Sequence, residues 1–108
     1  MKTKIAALSL LLLSSSAMSA SSNITTTVTF VGMYGDGRLF VGLDESINEP
    51  GCAGPRFDVE PQHSANNQWL EIARTARETG RSVVIRTNGC FAGRPTMDHT
   101  TNSWFYLK

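Results

Sequence analysis

Apolar or β-branched positions alternate with polar ones along residues 24–33 (ITTTVTFVGM). Ile24, Thr26, Val28 and Phe30 would share one face of a strand, and Thr25, Thr27, Thr29 and Val31 the other. Gly35-Asp36-Gly37 supplies turn chemistry. Residues 38–44 (RLFVGLD) resume the alternation with Leu39, Val41 and Leu43 in phase, so the two runs predict a β-hairpin. Gly42 inside the second run marks a bulge or a close backbone approach. Residues 45–55, with Pro50, Gly51, Gly54 and Pro55 around Cys52, read as a loop. Residues 56–60 (RFDVE) predict a short strand with Phe57 and Val59 in phase, ended by Pro61.

The period changes in residues 67–79 (NQWLEIARTARET), the one segment that predicts a helix. Trp69, Ile72, Ala73 and Ala76 form a single apolar stripe that Leu70 widens, which makes Trp69 a core residue. Ser64 or Asn66 is the expected N-cap, Gly80 the expected left-handed C-terminal residue, and Arg74–Glu78 an i, i+4 pair. Residues 82–87 (SVVIRT) predict a strand, residues 91–102 a loop, and residues 104–108 (WFYLK) a final strand. The class is therefore mainly β with one helix. Five short strands, a glycine kink and one helix between the third and fourth strands suit a small OB-fold-like barrel. The alternative is an α+β arrangement with the helix on one face of an antiparallel sheet.

Residues 1–20 read as a signal peptide rather than as part of the fold. Lys2 and Lys4 precede an apolar run at residues 5–13, and Ala17-Met18-Ser19-Ala20 offers a small-x-small cleavage pattern before Ser21. The run is shorter than the roughly 20 residues that span a bilayer, so no membrane span is expected after the signal is removed. Residues 21–108 are then a single exported domain, secreted or periplasmic. That segment holds eight Lys and Arg against nine Asp and Glu, a net charge of −1. Seven of the eight cations are Arg, which suits planar, bidentate contacts with carboxylates. The near-neutral balance removes the electrostatic case for nucleic acid as a partner.

In an exported chain the two cysteines, Cys52 and Cys90, are expected to form one disulfide. The closed loop has 37 intervening residues. The chain-entropy model assigns a bond of that span about 4 kcal/mol, a large term for a domain this small.

Residues 70–90 (LEIARTARETGRSVVIRTNGC) resemble the central helix and following strand of the subtilase-cytotoxin and pertussis-like toxin B subunits. There too an Ala-bearing helix ends at a TG or SG pair, followed by a small polar step and a V-x-I strand. The hairpin at residues 28–43, with its Gly35-Asp36-Gly37 turn, is similar to short exported bacterial proteins described as subtilase-cytotoxin-B-like. Cys52 before the helix and Cys90 after its strand match that group's cysteine placement. The resemblance implies an OB-like barrel. In the toxin members it also implies a homo-pentamer that binds sialylated or other host glycans and carries an enzymatic A subunit. The chain is shorter than the toxin B subunits and has one cysteine pair where they usually have two, and no glycan-binding residue carries over.

No G-x-S-x-G, H-E-x-x-H or phosphate-loop motif is present. His63 and His99 are the only histidines, both in loops and expected to be exposed. Their spacing to acidic residues matches no metal site, so no enzyme activity, metal or cofactor is expected. A sugar site needs an aromatic platform beside fixed polar groups. Tyr34 at the hairpin turn, with Asp36 and Arg38, is the expected ligand-binding group; Phe91, Trp104 and Tyr106 are further aromatic candidates. Trp104, Phe105 and Tyr106 cannot all face one side of a strand, so one or two of them belong to the core. Two readings of function follow: an exported glycan-binding module, or a small periplasmic structural, interaction or inhibitor protein without a sugar site.

Overall fold

The computed structural model describes residues 23–108, so the expected signal peptide lies outside the described residues. The described chain is mainly β with one helix. Its strands are β1 (Ile24–Thr26), β2 (Val28–Met33), β3 (Leu39–Ile47), β4 (Gly54–Val59), β5 (Val83–Arg86), β6 (Cys90–Phe91), β7 (Arg94–Pro95) and β8 (Trp104–Leu107). The helix, α1 (Asn66–Thr79), falls between β4 and β5. The strands form three antiparallel sheets, ordered β1-β5-β8, β2-β3-β4 and β6-β7.

Only Thr27 separates β1 from β2, so the two larger sheets meet along one bent run of chain. Among the described residues no strand pairing joins β4 to β8, and the sheets do not close into a barrel. Leu39, Val41, Phe57, Val59, Val83 and Ile85 are fully buried between the sheets. Phe57 of one sheet meets Phe105 of the other edge-on, with ring centroids 5.3 Å apart. Ala73 and Ala76 bring α1 close to this core, and Trp69, Leu70 and Ile72 pack half-buried against it.

Several expectations are corrected. The run at residues 24–33 is broken at Thr27, and its phase shifts between Val28 and Phe30. Val28 pairs with Leu43 and Phe30 with Gly42, two steps on one strand against one on the other. Such a bulge reverses which side the following residues face. Phe30 is therefore 43% exposed instead of sharing the inner face with Val28. Neither Ser64 nor Asn66 caps the helix: Ala65 holds that position with no side-chain cap. The Asn66 amide instead donates to the carbonyls of Glu60 (2.9 Å) and Gly37 (3.3 Å), tying the helix start to the hairpin tip. Arg74 pairs with Glu71 at 3.3 Å rather than with Glu78. Residues 91–102 are not all loop, because β6 and β7 form a small hairpin turning through Ala92 and Gly93, both at positive φ.

Other expectations stand. Gly80 ends α1 at φ +75° with its N–H on the Ala76 carbonyl. Cys52 and Cys90 form the disulfide, with Cα atoms 6.1 Å apart. On β8, Phe105 is buried, Trp104 half-buried and Tyr106 exposed. No described helix is long and apolar enough to cross a membrane.

Candidate functional site

The outer face of the β2-β3-β4 sheet carries the candidate site. Strand periodicity places Phe40 on this side of β3 and Arg56 and Asp58 on the same side of β4, and Arg38, just before β3, reaches the same side through Asp58 and the Tyr34 ring. The sheet here is paved with rings lying over glycines. A Cβ on Gly32 would stand 2.3 Å from Cζ of Phe40, the residue it pairs with on β3. Gly42 lies under Phe30 in the same way, so each strand offers a glycine to the other's phenylalanine. Tyr34 continues the row, its ring centroid 5.0 Å from that of Phe40.

Asp58 stands at the centre and is fully buried. Arg56 grips it bidentately, Nε to Oδ1 at 2.7 Å and Nη2 to Oδ2 at 3.0 Å. Arg38 Nε lies 3.2 Å from Oδ2 and Arg94 Nε 3.8 Å from Oδ1. Three guanidinium groups thus surround one carboxylate, which leaves two positive charges in excess among them. The guanidiniums also lie against rings: Arg38 is 4.1 Å from the Tyr34 centroid and 5.8 Å from that of Phe91, and Arg56 is 4.7 Å from that of Phe40. Arg56 Nη2 donates to the Tyr34 hydroxyl at 3.0 Å. That hydrogen bond, helped by Arg38, holds the Tyr34 phenol below its ordinary pKa, and the carboxylate of Asp58 raises that of Arg56.

Of the residues expected in the site, Tyr34 and Arg38 come together here. Asp36 does not join the cluster: its carboxylate accepts the Arg38 backbone N–H at 2.9 Å and closes the turn. Arg56, Asp58, Arg94 and Phe40 were not anticipated. The signal for two of them was present, since the alternation that turns Phe57 and Val59 inward turns Arg56 and Asp58 outward. Arg94 carried no such signal, because it arrives through β7, far along the chain.

A second polar cluster adjoins this face. His63 is buried, contrary to the expectation of an exposed loop residue. Its Nδ1 accepts from the Ala65 N–H (3.1 Å), and its Nε2 lies 2.7 Å from the Asp98 carbonyl, the geometry of a neutral ring protonated on Nε2. The ring is sandwiched between Trp69 and His99, at centroid distances of 4.7 and 4.2 Å. His99 is exposed, as expected, and its Nε2 lies 2.7 Å from Glu60 Oε2. Burial pushes the Asp98 carboxyl up, but hydrogen bonds from Thr100, Ser103 and Asn88 outweigh it and hold the group below its ordinary pKa. Among the described residues no group of three or more His, Cys, Asp or Glu could hold a metal ion. Comparison of the chain with protein-family models, curated proteins and solved structures finds no match.

Proposed function

We propose that this protein is an exported binding module of the toxin-B-subunit kind, whose two larger sheets make a partly open OB-like arrangement. Its ligand is an acidic glycan held on the outer face of the β2-β3-β4 sheet. The observation that carries this reading is the excess of guanidinium over carboxylate around Asp58, set among flat aromatic rings. Sugars present C–H faces that lie on rings, and a sugar carboxylate accepts the paired N–H groups of Arg. Asp58 orients the Arg56 fork, while Arg38 and Arg94 hold looser contacts to it and keep donors for a ligand. The role proposed is binding, and His63 is spent on the fold, with both ring nitrogens engaged by backbone groups. A ring of five copies, as the resemblance implies, would add the avidity that weak single sugar sites depend on.

The test is calorimetric titration of residues 21–108 with N-acetylneuraminic acid and, separately, with galactose. Binding of the acidic sugar alone, lost in Arg94→Ala and Arg38→Ala, is the expected result. Equal binding of both sugars, or of neither, would overturn it. A second reading has its own observation, because Phe30 and Tyr34 are each 43% exposed on the face that carries the arginines. Exposed aromatic and Arg side chains are the composition of protein interfaces. Failure with sugars together with capture of an acidic polypeptide by this face would favour an interaction or inhibitor protein.

A further inference from the structure

The chain has two tyrosines, and they are exposed to similar degrees, Tyr34 at 43% and Tyr106 at 49%. Their surroundings differ. The Tyr34 hydroxyl accepts from Arg56 Nη2 at 3.0 Å, and the Arg38 guanidinium lies 4.1 Å from the ring centroid. Both arginines are anchored on buried Asp58, so the cations are fixed independently of the ring. Among the described residues the Tyr106 hydroxyl has no hydrogen bond, and no arginine lies over its ring.

A fixed cation favours phenolate over phenol, and the phenolate is the form that attacks carbon. The titration of Tyr34 moves in that direction: the hydrogen bond from Arg56, and after it Arg38, lower its pKa. A guanidinium near an attacked carbonyl also stabilises the oxygen that becomes negative there. Competing nucleophiles are few. Among the described residues no cysteine is free, and Lys108 is the single lysine.

We propose that Tyr34 is a modification site, an acyl acceptor for activated esters, with Arg56 and Arg38 as the groups that make its oxygen reactive. This does not depend on the glycan reading above. In the step, the Tyr34 oxygen forms a bond to the ester carbonyl carbon. The bond from that carbon to the leaving oxygen breaks, and its electron pair departs with the leaving group. The phenolic proton goes to water, because the guanidiniums are already fully protonated. The product is an aryl ester on Tyr34, with nothing oxidised or reduced. The excess positive charge of the face suits leaving groups that depart as anions.

The experiment treats residues 21–108 with 4-nitrophenyl acetate in mildly alkaline buffer and follows each tyrosine by peptide mass mapping. Tyr34 should be acetylated about tenfold faster than Tyr106, short of the hundredfold or more of an enclosed oxyanion donor because this ring is open to water. The release of 4-nitrophenolate should show a matching burst, which Tyr34→Phe removes. Arg56→Gln and Arg38→Gln should each bring the Tyr34 rate down toward that of Tyr106, with near-ultraviolet circular dichroism checking that each variant is folded. Arg38→Gln leaves the bidentate grip of Arg56 on Asp58 in place, so it carries the test should Arg56→Gln fail to fold. Equal rates at the two tyrosines of the wild type, or a preference that persists in every folded arginine variant, would overturn the proposal.

Discussion

The ring of Phe30 lies on the backbone of Gly42, so close that a Cβ at Gly42 would stand 2.1 Å from Cε2 of the ring. The two residues are direct partners across β2 and β3. The glycine is what lets an aromatic ring lie flat on the outer face, and the ring in turn covers backbone that a glycine would leave bare.

This relationship predicts a change of sign. Gly42→Ala alone must push Phe30 off the sheet and should cost about 1 kcal/mol, as overpacking does. In a Phe30→Ala background the ring is gone, and the same substitution should stabilise by roughly 0.5 kcal/mol, because Ala loses less backbone entropy than Gly in a strand. Urea unfolding of the four proteins measures the coupling. Additive effects would show that the ring does not rest on the glycine in solution.

Asp58 is the one carboxylate that Arg38, Arg56 and Arg94 share. Asp58→Asn keeps the shape and removes the charge. It should destabilise the fold by about 3 kcal/mol, the low end for breaking a buried ion pair, since Arg38 and Arg94 remain in contact with water. Denaturant midpoints at constant slope are the measurement. A loss below about 0.5 kcal/mol, the range of ordinary surface substitutions, would mean that the arginines do not depend on this partner.

Tyr34 should lose its proton below the ordinary value of 10.0, because Arg56 and then Arg38 stabilise the phenolate. Absorbance of the phenolate in a Tyr106→Phe background reads Tyr34 alone. Arg56→Gln should return the midpoint toward 10.0. The sign for stability follows from an acid whose folded pKa is depressed: its contribution is complete above 10.0 and is lost as pH falls through the lower folded value. The stability difference between wild type and Tyr34→Phe should therefore grow as pH rises through that window. A wild-type midpoint at 10.0 would remove the Arg56 contact from the description of the site.

Much of the fold was legible along the chain because its signals are local. The stripe of Trp69, Ile72, Ala73 and Ala76 has a 3.6-residue period, and Gly80 ends it by a conformation few other residues accept. The alternation of Leu39, Val41 and Leu43 placed the inner face of β3, and the pairing of Cys52 with Cys90 followed from an even count. The nearness of Tyr34 and Arg38 was visible because they flank one short turn.

The tertiary structure alone decided the rest. A single-residue bulge between Val28 and Phe30 turned an aromatic side chain from the expected core to the outer face, and a two-residue period carries no mark of where such a shift occurs. Asp58 became the centre of a charged cluster because the turn before β3, strand β4 and strand β7 each bring an arginine to it. The stacking of His63 between Trp69 and His99 likewise joins a helix to two loops. Periodicity and turn chemistry report what each residue does with its chain neighbours; which charges and rings meet depends on how distant strands pack, and that is settled only when the core forms.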